Sequence, residues 1–193
     1  MSKTMDWREK RIILASQSPR RLDLLRQIGI EPVVDPSTLP ESVETEDPAE
    51  LVQSLSVQKA VDVASRHAPE DIVIGADTVV SVDGRILGKP HSHEEAAAMI
   101  RSLAGRTHQV YTGVTLVSSG RLSVFCERTD VHVAQMSEDE IRDYAYSSEP
   151  MDKAGAYGIQ GGFARFISRI EGDYANVVGL PVARLYQELK TLT

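Results

Sequence analysis

Apolar runs alternate with helix-periodic stretches along the first third of the chain. The run at residues 11–15 ends in a Ser/Pro/Arg string, and leucine and isoleucine then recur at helical spacing, which predicts a strand, a turn and a helix. Ser18 suits the N-cap of this helix, Pro19 suits its first position and Gly29 suits its stop. A second, longer helix is predicted over residues 47–66, because its first four residues match a capping box.

Strand and hairpin signals dominate the middle of the chain. The β-branched run at residues 72–82 meets Asp83-Gly84, a strong hairpin signal, and two further strand-like runs span residues 109–134. Further helices are predicted before Gly105, from Ser137 and over residues 181–192, and a last strand near residues 163–170. Hairpins mixed with helices indicate an α/β fold on a mixed, twisted sheet with helices on both sides.

Composition narrows the function classes. The chain has 193 residues and a formal net charge of −7, which argues against a nucleic acid polymer as partner because duplex binding depends on many cation–phosphate contacts. The single cysteine, Cys126, excludes an intramolecular disulfide and is expected to be a small apolar strand residue. The N-terminus holds no apolar signal-peptide core, and no apolar run reaches the roughly 20 residues that span a bilayer. We therefore expect a cytoplasmic protein with no membrane association.

The Ser/Pro/Arg string after the first strand has the residues of an anion-binding turn. Ser16 and Ser18 supply hydroxyls at the start of a predicted helix, where free backbone N–H groups and the helix dipole favour negative charge. Arg20 and Arg21 add two guanidinium groups that can pair bidentately with phosphate. The alternative, a solvated arginine pair on an exposed helix face, has equal weight on composition alone.

Asp77 is a candidate for a functional residue from the pattern alone. It interrupts an apolar, β-rich run, where a carboxylate is costly unless it is paired, hydrogen-bonded or bound to metal. Lys89 follows the Asp83-Gly84 hairpin, so the returning chain is expected to bring it towards Asp77. The alternatives are a structural carboxylate at Asp77 and an exposed loop lysine at Lys89.

The glycine-rich stretches do not match standard nucleotide motifs. Residues 84–90 have three residues between their glycines and proline where a P-loop needs Ser or Thr, so we reject a P-loop. Residues 155–162 lack the dinucleotide spacing and are interpreted as a loop that approaches a ligand closely, with Gln160 offering a donor and an acceptor to a base edge. His91 and His93 are assigned to a loop before a helix rather than to a metal site.

Several strings, taken together and in this order, resemble the Maf family of nucleoside triphosphate pyrophosphatases. The resemblance implies an α/β fold like that of inosine triphosphate pyrophosphatases, with a long mixed twisted sheet flanked by helices and two lobes around a central cleft. It also implies one domain over residues 1–193, with residues 1–10 as an N-terminal extension, and a homodimer is common in the family. The strings are Leu14-Ala-Ser-Gln-Ser-Pro-Arg-Arg21, Gly75-Ala-Asp-Thr-Val-Val80, Gly88-Lys-Pro90, Thr112-Gly-Val114, Glu149-Pro-Met-Asp-Lys-Ala-Gly-Ala-Tyr-Gly-Ile-Gln-Gly161 and Gly172-Asp-Tyr-Ala-Asn-Val-Val-Gly-Leu-Pro181.

The resemblance also implies roles for individual residues. Asp77 is similar to the catalytic proton acceptor, and Glu41 with Asp77 is similar to the site of a divalent metal (Mg²⁺, Mn²⁺ or Co²⁺). The residues similar to those that bind the triphosphate in the family are Ser16, Arg20, Arg21, Lys59 and Lys89. The residues similar to those that distinguish the dTTP/UTP branch are Arg20, Thr78 and Gln160. The implied reaction yields a nucleoside monophosphate and pyrophosphate, in a house-cleaning role. The alternatives are a preference for 7-methyl-GTP and a nucleotide-binding regulator of septum formation.

Overall fold

The computed structural model describes residues 6–192, and in this part of the chain seven strands form one mixed sheet. The strands are β1 (Ile12–Leu14), β2 (Val33–Val34), β3 (Ile72–Val82), β4 (Arg85–Leu87), β5 (Thr107–Ser118), β6 (Arg121–Val133) and β7 (Ile167–Glu171). Their order in the sheet is β2-β1-β3-β5-β6-β7, and β4 pairs with β3. The helices are α1 (Pro19–Gln27), α2 (Pro48–Ala64), α3 (His93–Leu103), α4 (Glu138–Ala145), α5 (Tyr174–Val178) and α6 (Val182–Leu192). The predicted α/β class with a mixed sheet is confirmed.

The two faces of the sheet bury different cores. Ile13 and Val73 point to the face covered by α2, where they pack with Ala60 and Val63. Neighbouring strand residues point to the opposite face, because side chains alternate along a strand. That face carries the larger core, to which all five other helices contribute buried side chains. Helices therefore cover both sides of the sheet, as predicted.

Gly75 lets α2 approach β3 closely. A Cβ atom at Gly75 would overlap the Ser56 carbonyl oxygen and would lie 2.8 Å from the Ala60 Cβ. Gly113, on β5, meets the backbone of Val52 in the same way. The close contact places the side chains of α2 directly over the middle of β3.

One edge of β3 is open at its centre. Along this edge β1 pairs with residues Ile72–Ile74 and β4 pairs with residues Val80–Val82, so neither strand covers residues 75–79. The other edge is paired with β5 throughout the same stretch. The opening lies between the β1–β2–α1 side and the β4–α3 side, where a cleft between two lobes was expected.

The helix starts follow the predicted capping residues, with one difference. The Asp47 carboxylate accepts hydrogen bonds from the N–H groups of Ala49 (2.8 Å) and Glu50 (3.2 Å), and Ser137 forms a capping box at the start of α4. Ser18 occupies the N-cap position of α1, but its side chain makes no capping hydrogen bond. Its own N–H instead donates to Ser16 Oγ at 3.2 Å, so the first turn of α1 keeps its free N–H groups.

Two predictions in the C-terminal third were inaccurate. The strand predicted near residues 163–170 begins only at Ile167, because a 3₁₀ turn occupies Gly162–Phe166. The short helix α5 was not predicted, although Asp173 caps it by accepting a hydrogen bond from the Ala175 N–H. Five residues are too few for a periodic apolar stripe to be visible in the sequence.

The N-terminal extension is partly described. Of its ten residues, the first five lie outside the described part, as does residue 193 at the other end. Trp7 is buried and packs edge-to-face on Tyr186 of α6, with ring centroids 5.8 Å apart. Among residues 6–192, no helix combines the length and apolar character needed to cross a bilayer.

Candidate functional site

Lys59 joins two carboxylates at the open centre of β3. Its ammonium nitrogen lies 2.5 Å from Asp77 Oδ1 and 2.9 Å from Glu41 Oε1. Asp77 is in the uncovered stretch of β3, two residues beyond Gly75, and therefore faces α2. The Asp77 side chain is only 12% exposed, whereas that of Glu41 is 60% exposed. A nearly buried carboxylate and an exposed one thus converge on a single cationic group.

The loop that carries Glu41 is tied to α2. The Gln58 side-chain amide donates a 2.7 Å hydrogen bond to the carbonyl of Pro40, the residue before Glu41. At the start of the loop, Asp35 lies 2.7 Å from His67 Nε2 and 3.2 Å from Arg66 Nη2. The hydrogen bonds from His67 and Arg66 hold the pKa of Asp35 below its ordinary value. These contacts bring an otherwise irregular loop to the edge of the site.

Arg21 lies on the other face of β3 and is held by three hydrogen bonds. Its guanidinium donates to the Gly179 carbonyl (2.8 Å), Ser16 Oγ (3.0 Å) and Thr78 Oγ1 (3.0 Å). Thr78 is also 2.9 Å from Thr112 Oγ1, so this set is continuous with the buried hydroxyls of β5. The structure thereby brings together three residues that the sequence predicted for nucleotide binding.

Charged groups on both faces of β3 affect the pKa of Arg21. Burial lowers the pKa of the Arg21 guanidinium, while the nearby charges of Asp77 and Glu41 raise it and that of Arg20 lowers it. Thr78, which Arg21 bonds, directly follows Asp77 in β3, so Arg21 and the acidic pair flank the same stretch of this strand.

Several hydrogen-bond donors at this point are available to an anionic ligand. The first-turn N–H groups of α1 have no partner inside the helix, and the hydroxyl of Ser18 does not satisfy them. Arg21 uses three of its five N–H donors in the contacts described. In β3, the Ile72 N–H and the Ile74 carbonyl bond towards β1, so the main-chain groups of Ala76 and Thr78 face the opening.

Three predicted site residues lie outside the contacts that Lys59 and Arg21 make. Arg20 Nη1 is 3.2 Å from Asp152 Oδ2, and its side chain is partly exposed. Lys89 and Gln160 are exposed, and neither side chain has a hydrogen bond or ion pair within residues 6–192. Lys89 follows β4 on the open edge of β3 and lines a cavity of about 420 Å³. Its approach to Asp77 stays a prediction, as does the binding role of Gln160.

Sequence reasoning missed the group of charges around Glu149. Asp152 Oδ1 accepts a 2.7 Å hydrogen bond from Lys153 Nζ, which also donates to the Glu149 carbonyl at 2.6 Å. Burial raises the pKa of Asp152, but the hydrogen bonds from Lys153 and Arg20 outweigh this effect and leave it below its ordinary value. The only signal in the sequence was the density of charge just before the glycine-rich segment.

The cysteine assignment agrees with the structure, whereas of the two histidines assigned to a loop only His91 lies in it, because α3 already begins at His93. Cys126 is a half-buried residue of β6, and burial raises the pKa of its thiol to about 11. His91 bonds to Glu95 at 3.0 Å, and His93 Nδ1 lies 2.7 Å from the Ala145 carbonyl. Within the described residues, no group of three or more His, Cys, Asp or Glu side chains is arranged to hold a metal ion. A metal at Glu41 and Asp77 would therefore need ligands from substrate and water.

Comparison with known proteins identifies the family. Residues 11–192 match the model of the family described as Maf-like protein. A dTTP/UTP pyrophosphatase of Agathobacter rectalis is 54% identical, with 94% of this chain and 97% of that protein covered. A dTTP/UTP pyrophosphatase of a Geobacillus species is 51% identical, with 95% and 98% covered. The solved structure of the Staphylococcus aureus Ham1 protein shares the fold at 15% identity, with a TM-score of 0.53 over 95% of this chain and all of that one. The chain belongs to the Maf family.

Proposed function

We propose that this protein is a nucleotide diphosphatase that hydrolyses dTTP and UTP to the nucleoside monophosphate and pyrophosphate. Its relatives with this activity in their names are about half identical over nearly the whole chain. The observation that carries the proposal is the meeting of Asp77, Lys59 and Glu41 at the open centre of β3, beside the free N-terminus of α1.

The cationic groups suit a triphosphate. Arg21 and the first-turn N–H groups of α1 lie on one side of Asp77, and Lys59 lies on the other. Arg20 stands beside Arg21, and Lys89 follows on the same edge of β3. Charge-assisted hydrogen bonds from such groups are stronger than neutral ones and favour phosphate oxygens. A nucleoside triphosphate placed along this edge would pass its phosphates over Asp77.

Glu41 and Asp77 are suited to hold a divalent cation. Both carboxylates already contact one positive group, the Lys59 ammonium, and magnesium sites commonly combine one or two carboxylates with substrate phosphates and water. The oxygen-only donor set favours Mg²⁺, Mn²⁺ or Co²⁺ over a thiolate-bound metal. When bound, such a cation lowers the pKa of a coordinated water and neutralises phosphate charge.

In the proposed reaction Asp77 is the proton acceptor. It takes a proton from the water that attacks the α phosphorus, while the bond from the α phosphorus to the bridging oxygen of the β phosphate breaks. The electron pair of that bond leaves with pyrophosphate, whose growing charge is stabilised by Arg21 and Lys59. No nucleophilic side chain is needed, because phosphoryl transfer depends mainly on positioning and charge stabilisation.

Arg20, Thr78 and Gln160 support a pyrimidine substrate by their resemblance to the dTTP/UTP branch. The Thr78 hydroxyl already bonds Arg21 and Thr112, so we propose that it acts by fixing Arg21 while its main chain faces the opening. Gln160 is exposed in the glycine-rich turn and has both a donor and an acceptor for a base edge.

We also propose a cytoplasmic, house-cleaning role, with modified pyrimidine nucleotides among the substrates. The single cysteine and the acidic composition are compatible with a reducing compartment. A homodimer is proposed on the family resemblance alone.

A panel of nucleoside triphosphates with product identification tests the proposed function. The panel comprises dTTP, UTP, 7-methyl-GTP, CTP and GTP, each with Mg²⁺, Mn²⁺ or Co²⁺ and with a chelator. We expect pyrophosphate from dTTP and UTP, and loss of turnover with the chelator. Faster hydrolysis of 7-methyl-GTP would favour the alternative substrate. Nucleotide binding without turnover under every metal would favour a regulator of septum formation.

A further inference from the structure

A continuous chain of contacts runs from Arg20 to the turn that carries Gln160. Arg20 Nη1 bonds Asp152 Oδ2 at 3.2 Å, and the other oxygen of Asp152 bonds Lys153 Nζ at 2.7 Å. Lys153 Nζ in turn donates to the Glu149 carbonyl at 2.6 Å. Arg20 belongs to α1, so the chain links two parts of the molecule that are 132 residues apart in sequence.

The Gln160 turn is held at both ends by members of this chain. On one side, a Cβ at Gly158 would lie 2.7 Å from Cε of Lys153, so the lysine stem packs directly on the glycine. On the other side, both carboxylate oxygens of Glu149 lie 2.9 Å from the Gly162 N–H, and Glu149 also covers Gly161. The two charged side chains fix the turn, while the Gln160 side chain itself stays exposed.

Asp152 orients Arg20 but leaves most of its N–H donors available. The ion pair uses only Nη1 of Arg20, so the remaining N–H donors of the guanidinium are left for a ligand. The Asp152 side chain is 63% exposed and that of Arg20 is 29% exposed, and ion pairs of this exposure add little to stability. Their effect is therefore on the direction of the guanidinium rather than on folding.

We propose that Asp152 is a positioning residue that holds Arg20 and the Gln160 turn in register for one nucleotide. This inference rests on the proposed function: Arg20 would bind the phosphates of a pyrimidine nucleotide while Gln160 meets its base. Asp152 acts through Arg20 and Lys153, and it does not touch the reacting atoms. Removing it frees Arg20 to adopt other rotamers, which must then be ordered again on binding.

Steady-state kinetics of Asp152 variants test the proposal. For Asp152→Ala we expect KM for dTTP to rise about tenfold with kcat within about twofold of the wild type, because Arg20 is no longer held in its binding orientation and must be ordered by the ligand. Asp152→Asn keeps an acceptor for Arg20 and should recover part of the loss. In the Arg20→Ala background, Asp152→Ala should add less than about twofold, because its partner is already absent. Asp139→Ala is the matched control, since Asp139 pairs with Arg142 on the exposed side of α4.

The outcomes separate this inference from the proposed function. A wild-type protein that releases no pyrophosphate from dTTP or UTP would overturn the proposed function. An active wild type with unchanged KM in Asp152→Ala would overturn only the positioning role. The positioning role would also be overturned if the effects of Arg20→Ala and Asp152→Ala on KM multiplied fully in the double variant. A thermal midpoint lowered by more than about 5 °C in Asp152→Ala would likewise assign Asp152 a general structural role.

Discussion

The two sides of the candidate site differ in how their polar groups are held. On one side, hydroxyl and guanidinium groups are partly or fully buried and bond to one another before any ligand arrives. On the other side, the predicted binding groups are exposed and stand on loops. We call the first set the floor, which consists of Ser16, Arg21 and Thr78, and the second set the rim, which consists of Glu41, Lys89 and Gln160.

This difference predicts different roles for the two sets, because the floor is ordered before a ligand binds and the rim lies where it can respond to the substrate. Floor groups are ordered when the chain folds, so a ligand that meets them loses little further entropy. Among the rim side chains Glu41 is paired with the Lys59 ammonium, whereas those of Lys89 and Gln160 remain free to adjust until a ligand arrives. Asp77 and Lys59 lie between the two, with side chains 12% and 20% exposed. We therefore expect floor variants to lower stability, rim variants to change substrate use, and Asp77 variants to stop the chemistry.

The largest effect is expected for Asp77→Asn. The amide keeps the shape of the side chain but cannot accept the proton from water, so kcat should fall by about 100- to 10,000-fold. Nucleotide affinity should stay within about threefold, because the floor and the α1 N-terminus are untouched. Initial rates and equilibrium binding of dTTP check both halves. An unchanged kcat would remove Asp77 as the base.

The second prediction concerns His108, a buried residue that contacts the segment before Gln160. His108 Nε2 lies 2.7 Å from the Tyr157 hydroxyl, in the segment that leads to Gln160. Burial lowers the pKa of His108 from 6.5 to about 4, and Asp130 opposes this shift only in part. Between these values the unfolded chain takes up a proton that the native protein does not, so stability falls as pH decreases from 6.5 to 4, by about 3 kcal/mol.

Urea unfolding at several pH values between 7 and 4 checks this prediction. His108→Gln should lose most of the dependence in this window. His91→Gln is the control, because the His91 side chain is 90% exposed. Parallel stability curves for the wild type and His108→Gln would contradict the expected linkage.

The third prediction tests whether the close approach of α2 to β3 sets the catalytic geometry. In Gly75→Ala the new methyl overlaps the backbone of Ser56, so α2 must shift away at a cost of about 1 to 3 kcal/mol. Because Lys59 moves with α2, kcat should fall as well. At Gly88 a Cβ would meet no atom within 4 Å, so Gly88→Ala serves as the control for stability. Wild-type stability in Gly75→Ala would show that the contact is not tight.

The smallest effects come from a matched pair that compares floor and rim directly. Thr78→Val removes one hydrogen-bond partner from Arg21 and one from Thr112, although each keeps another, and should lower the free energy of unfolding by about 1 to 2 kcal/mol. Gln160→Ala should change it by less than about 0.5 kcal/mol, yet lower the preference for dTTP over GTP. Chemical denaturation and competition assays measure the two quantities. A reversed pattern would remove the distinction between floor and rim.

The sequence was most informative where a signal is local. The long strand β3 and its hairpin followed from β-branched residues and Asp83-Gly84, and Asp77 was visible as a charge inside an apolar run. Such features depend on side-chain period and turn chemistry within a few residues. The Ser/Pro/Arg turn was visible in the same way, and the structure places it at the start of α1 beside the opening, while its binding of an anion stays a prediction.

Features that depend on how the elements pack against one another could not be predicted from the sequence pattern. Lys59 joins Asp77 to Glu41 because α2 packs at one particular position along β3. The close contact at Gly75 fixes this position only in the folded chain. Arg21 was expected to serve the ligand, and no local pattern indicated that three of its donors are used internally. The link from Arg20 to Asp152 likewise spans most of the chain and has no periodic signature.

The position of water attack tests the central claim most directly. Hydrolysis of dTTP in ¹⁸O-labelled water, followed by mass analysis of the products, reports which phosphorus the water reaches. With Asp77 activating water at the α phosphorus, the label should appear in the monophosphate and the pyrophosphate should be unlabelled. Label in pyrophosphate, or release of labelled orthophosphate, would contradict the account.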